Sequence, residues 1–265
     1  MSAPWPPARR RTGLAVDLGS TRTRVWALGG GMVLDVPPVT FSDAGRGPGT
    51  LHPVRRRDID VAGTARMLDR LLRQGPRRLG RPLVVLTAPV LDGVAYRAAA
   101  RAAVEVLRPR AVLTLPTARA VAAAAREDLS RPLLVVDVGA RFTEAVLLVD
   151  GAVADAHRAT LGACGLDGEP AAAARLVDAV AAMVASVPDE DRTAAAPSAP
   201  ARGVLLAGGG ALRPEFVHRL ARRLHVAVKV VPAPDTAAVR GAAELLGSAR
   251  LHPSFTGDAR LPVNE

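Results

Sequence analysis

Cysteine is almost missing from this sequence. Cys164 stands alone among 265 residues, which excludes an internal disulfide and any cysteine-cluster metal site. Its place in a Gly/Ala-rich strand end predicts a small buried residue. Aromatics are scarce at 3%, against 49% apolar residues overall, so the core must be assembled from Ala, Val and Leu. That composition suits helices closely packed on sheets whose short central strands read as runs of Val and Leu. No apolar run approaches the roughly 20 residues that cross a bilayer. Residues 1–11 are rich in Pro and Arg with no apolar segment behind them, so no secretory leader is expected. A cytoplasmic protein is the simplest expectation.

Lysine is reduced to Lys229, so the net charge of +10 is carried by arginine. Basic surfaces attract nucleic acid or anionic lipid. The arginine runs at 9–11, 55–57 and 77–78, however, carry no interleaved aromatics to stack on bases. A chain-wide preference for Arg and Ala accounts for the charge, and no nucleic-acid partner is expected. His52, His157, His218, His225 and His252 are scattered without metal-ligand spacing, and no Ser-His-Asp arrangement suggests itself.

What is present is a repeat. Leu14-Ala15-Val16-Asp17-Leu18-Gly19 recurs as Leu134-Val135-Val136-Asp137-Val138-Gly139, an offset of 120 residues. Thr23 answers Thr143, and an apolar run follows each. Val84-Val85-Leu86-Thr87 answers Val204-Leu205-Leu206-Ala207 at the same offset. Leu113-Thr114-Leu115-Pro116 and Val230-Val231-Pro232 each precede an Ala-rich helix. Such self-similarity is the signature of a duplicated unit. Each half reads as strand, tight turn, strand, a variable stretch, strand, helix, strand, helix. Helices are expected over 93–107 behind Asp92, over 118–126 behind Thr117, over 169–187, and over 215–224 opened by Pro214. In the last of these, Phe216, Val217, Leu220 and Leu224 form a core-facing stripe.

Two turns look suited to phosphate. After the strand ending at Asp17, Gly19-Ser20-Thr21-Arg22-Thr23 bends back into a second strand. Such a turn aims successive backbone N–H groups into a concave anion site, and the hydroxyls of Ser20 and Thr21 add donors. Asp17 could hold hydrated Mg²⁺, which takes one or two carboxylates plus phosphate oxygens. One Asp-x-Gly turn is common structural punctuation; the second, at Asp137 and Gly139, places two carboxylates on facing lobes. A third element, Gly208-Gly209-Gly210 between a strand and a helix, lets backbone approach a planar or sugar group.

These motifs resemble those of the actin, Hsp70 and sugar-kinase superfamily, and within it the bacterial MreB family of rod-shape-determining proteins. Residues 15–23 resemble its first phosphate motif, 135–144 its second, and 206–212 its adenosine motif, in family order. The resemblance implies an α/β, duplicated actin-like (ribonuclease H-like) two-lobed fold lacking the inserted small subdomains. It divides the chain into a disordered tail (1–12), a first lobe (13–129), a second lobe (130–234, with 188–202 a linker replacing an inserted subdomain), a connecting helix returning to the first lobe (235–247) and a C-terminal tail (248–265). The implied cofactors are ATP and Mg²⁺. Phosphate would be held by Asp17, Gly19, Ser20, Thr21, Gly139, Arg141 and Thr143, adenosine by Gly208, Gly209 and Gly210, and the metal through water by Asp17 and Asp137, with Asp137 the catalytic candidate.

The departures bear on mechanism. Ala140-Arg141-Phe142 stands where the family has a glycine-rich turn, and Leu115 occupies the place of the glutamate that orients water, so the chain is at most a weak ATPase. The implied function is a cytoskeletal or scaffold protein in cell shape or envelope synthesis. Its implied partners are proteins of that machinery, further copies of itself, and an anionic membrane touched from the cytoplasmic side. A nucleotide-free adaptor that keeps the shape as a platform, and a small-molecule kinase, remain the alternative readings.

Overall fold

The computed structural model describes residues 13–41, 50–51, 54–55, 58–73, 81–166, 170–190 and 202–250. The expected tail at 1–12, residues 251–265, most of the 188–202 linker and the arginine runs at 9–11 and 77–78 lie outside the described residues. The repeat resolves into two five-stranded mixed sheets of one design. In the first half, β1 (Gly13–Leu18), β2 (Thr23–Ala27) and β3 (Gly31–Val36) form a meander, and β8 (Leu83–Ala88) and β9 (Ala111–Pro116) extend it in parallel beside β1, giving the order β3-β2-β1-β8-β9. In the second, β10 (Leu133–Val138), β11 (Thr143–Val149), β12 (Ala152–Ala159), β13 (Val204–Ala207) and β14 (Val228–Val230) repeat it as β12-β11-β10-β13-β14. Between β3 and β8, the strand pairs β4 (Thr40–Phe41) with β5 (Thr50–Leu51), and β6 (Val54–Arg55) with β7 (Asp58–Ile59), are only two residues long per strand.

The central strands are apolar on both faces because both faces are covered. Leu14, Val16 and Leu18 of β1 face one layer, in which α1 (Val61–Arg73) and α2 (Gly93–Val104) contribute Met67, Leu68, Leu72, Tyr96, Ala100 and Val104. Ala15 faces the other way, onto α6 (Ala237–Arg250) through Val239, Ala242, Ala243 and Leu246. The second sheet is built alike. Leu134, Val136 and Val138 face α4 (Pro170–Glu190) and α5 (Pro214–Leu224), while Leu133 and Val135 face α3 (Thr117–Ala124).

The two inner helices change partners. α3 follows β9 of the first sheet yet packs under the second, whereas α6 follows β14 of the second yet packs under the first. They cross each other on the way, and small residues let them approach: a Cβ at Gly241 would lie 1.7 Å from the carbonyl oxygen of Ala120. A core poor in aromatics is therefore also a core whose helices run very close together.

Several sequence expectations need correction. Cys164 is exposed, because the short turn Ala163–Gly165 carries it to the surface beside the cleft and not into a core. Helix α4 continues beyond 187 to Glu190 through Pro188, past the expected start of the linker at 188. The last helix runs to Arg250, past the expected boundary at 247. The third meander strand went unread in both halves, β3 and β12, and so did helix α1 of the first half. No helix among the described residues is long and apolar enough to cross a membrane.

Candidate functional site

The carboxyl ends of β1 and β10 point at one another across a cleft of about 400 Å³ lined by both halves. That volume lies within the range of small-molecule sites, and strand carboxyl ends are where α/β sheets hold ligands. On the first side, Asp17 accepts a hydrogen bond from the Thr87 hydroxyl of the adjacent parallel strand at 2.8 Å. The turn after it is closed by Gly19 N–H donating to Arg22 O at 3.0 Å, and Gly19, Ser20, Thr21 and Arg22 all face the cleft. Arg22 and Arg24 share Asp35 of β3, at 2.7 and 3.2 Å. Arg24 also reaches Asp235, in the turn before α6, at 3.1 Å.

On the second side Asp137 stands opposite Glu144 in the β10–β11 ladder, the register position that Asp17 and Arg24 hold in the first half. Gly208 presses against it. With φ at +84°, a conformation glycine alone adopts freely, a Cβ there would lie 2.4 Å from Asp137 Oδ1 and 2.4 Å from Val138 O. The β10–β11 turn is pinned from beneath, Gly139 O accepting from Ala163 N–H at 2.8 Å and Ala140 O from Cys164 N–H at 2.9 Å.

Electrostatically the two aspartates are not ordinary carboxylates. Burial raises the Asp17 carboxyl, and the Thr87 hydrogen bond and the Arg24 charge only partly reverse this. Asp137 is pushed up to about 7, by burial first, then by the Asp17 charge and Glu144. Like charges facing one cleft favour a shared proton or a shared cation. Among the described residues no three His, Cys, Asp or Glu side chains gather as a metal-binding group. Two carboxylates are a donor set that would suit Mg²⁺, which accepts one or two of them when phosphate oxygens and waters complete its shell.

Of the residues singled out in sequence, the cleft gathers Asp17, Gly19, Ser20, Thr21, Asp137, Gly139, Gly208 and Gly209. Three others lie outside the cleft wall. Arg141 is exposed and is not part of the cleft wall. Thr143 is buried, its hydroxyl donating to Leu161 O at 2.9 Å. Gly210 packs against Val138, where a Cβ would be 2.2 Å from Cγ1. Residues that sequence reading did not assign to the site also line it, among them Thr87, Arg24, Tyr96, Glu144 and Asp235. Thr87 was signalled by its place in the repeat and Glu144 by its place in the second phosphate-motif stretch; Arg24, Tyr96 and Asp235 required the fold.

No protein-family model matches the sequence, and a search of curated proteins finds no relative. Solved structures do match. MreB5 of Spiroplasma citri bound to ADP superposes with a TM-score of 0.79 at 12% identity, over 92% of this chain and 98% of that one. The fold is actin-like. A MamK double helical filament matches at 0.69 and 16% identity, over 88% and 98% of the two chains. Ethanolamine utilization protein EutJ from Carboxydothermus hydrogenoformans matches at 0.61 and 16%, over 92% of each. Within this actin-like frame the Ala140-Arg141-Phe142 departure acquires a shape: Phe142 lines the cleft, with its ring centroid 5.1 Å from the Arg158 guanidinium carbon. Leu115, half-buried in β9, offers nothing to polarise water.

Proposed function

We propose that the chain is an MreB-like bacterial actin homologue with a cytoskeletal or scaffold role in cell shape or cell-envelope synthesis. In this reading it binds ATP with Mg²⁺ weakly in the inter-lobe cleft and hydrolyses it slowly or not at all. The observation that carries the proposal is the convergence of Asp17 and Asp137 on one cleft within an actin-like fold. Ser20 and Thr21 supply the phosphate donors on the turn that Gly19 closes, Gly208 and Gly209 the surface for adenosine, and the two aspartates the metal contact. Structures of MreB5 with ADP and of a MamK filament support nucleotide as ligand and self-association as assembly. Calorimetric titration with ATP–Mg²⁺ tests the site: saturable binding that disappears in Asp17→Ala is expected, and no binding at millimolar ATP overturns the nucleotide reading.

A second reading, a pseudo-ATPase adaptor that meets protein partners without nucleotide, is favoured by the Phe142 ring in the cleft wall and by Leu115. Sedimentation with and without ATP–Mg²⁺ and anionic liposomes separates the assemblies. Pelleting that needs nucleotide indicates a filament, and pelleting only with liposomes indicates a peripheral scaffold at the cytoplasmic face of a membrane.

A further inference from the structure

Three buried charged side chains join the halves beside the cleft. Glu144 on β11 and Arg158 on β12 belong to the second half; Asp92 ends the short turn Val90–Asp92 that leads into α2 in the first. Arg158 binds Asp92 Oδ1 through Nη1, and binds Glu144 Oε1 through Nη2 at 2.5 Å and through Nε at 3.1 Å. The Arg158 and Asp92 side chains are 3% and 1% exposed. The Glu144 carboxylate additionally accepts the backbone N–H groups of Val90, at 3.0 Å, and Leu91, at 3.1 Å. One carboxylate of the second half thus caps a turn of the first, while one guanidinium is shared between them. The Phe142 ring against the guanidinium fixes it from a further side.

A second tie crosses elsewhere. Arg24 of the first half reaches Asp235, which follows the second sheet, at 3.1 Å, and its side chain is 11% exposed. Arg24 and Glu144 hold equivalent register positions, opposite Asp17 and Asp137. Charged groups this buried are stable only while their partners stay in reach: parting the halves would keep the Glu144–Arg158 and Arg24–Asp35 pairs but would strand Asp92 without its guanidinium and the Val90 and Leu91 N–H groups without their carboxylate. Bonds to charged groups in such settings are also directional, which penalises sliding as well as opening.

We infer that these ties are a latch: Glu144, Arg158 and Asp92, aided by Arg24 and Asp235, hold the halves at one separation, so that the cleft is preformed and does not close upon its ligand. The three are positioning residues, and the inference holds whatever molecule the cleft takes. Electron–electron distance measurement on the full chain reads the separation directly. Spin labels go on Ala98→Cys in α2 and Arg222→Cys in α5, both exposed positions, with Cys164→Ser removing the native thiol. One narrow distribution is expected, its centre moving by less than about 2 Å when ADP–Mg²⁺ or ATP–Mg²⁺ is added. The triple variant Asp92→Asn/Glu144→Gln/Arg158→Met removes the bridge without stranding a charge and should broaden the distribution while circular dichroism stays native. A broad wild-type distribution, a nucleotide-driven shift beyond that limit, or a folded triple variant as narrow as wild type would each overturn the latch. If nucleotide does not bind at all, the comparison of wild type with the triple variant still decides the matter.

Discussion

Gly241→Ala places two physical effects in direct opposition. The residue sits inside α6, where alanine is the better helix former by about 1 kcal/mol, so propensity alone predicts stabilisation. The added methyl, however, would lie 1.7 Å from Ala120 O, 2.6 Å from Ala120 C and 2.9 Å from Ala124 N. All three are backbone atoms of α3, so no side chain can swing aside, and the helices must part by roughly an ångström. A gap of that size forfeits about a quarter to a half of each dispersion contact along the crossing. Overpacking of a core costs about 1–3 kcal/mol, and contacts with backbone belong at the upper end. The net expectation is a loss of about 2 kcal/mol, or about 4–8 °C in melting temperature for a chain of this length. Gly247→Ala is the matched control. It lies in the same helix, a Cβ there meets only Leu28 Cδ1 at 3.9 Å, and the variant should melt at or slightly above wild type. Differential scanning calorimetry of the pair reads both. A Gly241→Ala protein as stable as the control would show that the swapped helices are not packed backbone to backbone.

Two further outcomes follow from the cleft. Asp137 keeps its proton to about 7 in the fold against 3.8 as its reference, so between those values the folded state binds the proton that the unfolded state has lost, and stability falls as pH rises. Asp137→Asn should therefore be near neutral at pH about 4 and stabilising by up to about 4 kcal/mol above pH 7 in urea unfolding; an equal effect at both would refute the assignment. Gly208→Ala forces a side chain onto a left-handed backbone and into Asp137 Oδ1, and should cost about 1–3 kcal/mol and at least tenfold in nucleotide affinity by titration. Wild-type affinity in that variant would detach Gly208 from the site.

The parts of the fold that the sequence disclosed are those written twice. Asp17 and Asp137, each at the end of an apolar run and two residues before a Gly, marked the strand ends, and the shared offset with Val84 and Val204 located the neighbouring parallel strands. Helix α1 was legible but unread. Asp60 caps it, its carboxylate accepting Gly63 N–H at 2.9 Å, and Thr64, Met67, Leu68 and Leu72 recur at helical spacing on its buried face. Strand β12 carries Asp155, His157 and Arg158 with most of its residues only partly covered, and a sheet edge of that kind leaves little apolar alternation to detect. The Glu144–Arg158–Asp92 bridge lay beyond sequence altogether. Asp92 and Glu144 lie 66 and 14 residues from Arg158 along the chain, and nothing local distinguishes a bridging arginine from the many solvated ones. Cys164 misled because glycine and alanine neighbours suit a buried strand end and an exposed turn equally well.

Opposite charges at Arg24 and Glu144 make the twin walls of this crevice electrically unlike. A guest bearing one anionic end meets Arg22 and Arg24 beside Asp17 on one wall and only the acidic side chains Asp137 and Glu144 on the other, and so has a single favoured heading. Copying produced two equal faces, and divergence gave the slot a front and a back. Neither face could now be replaced by a replica of its sibling without setting like against like.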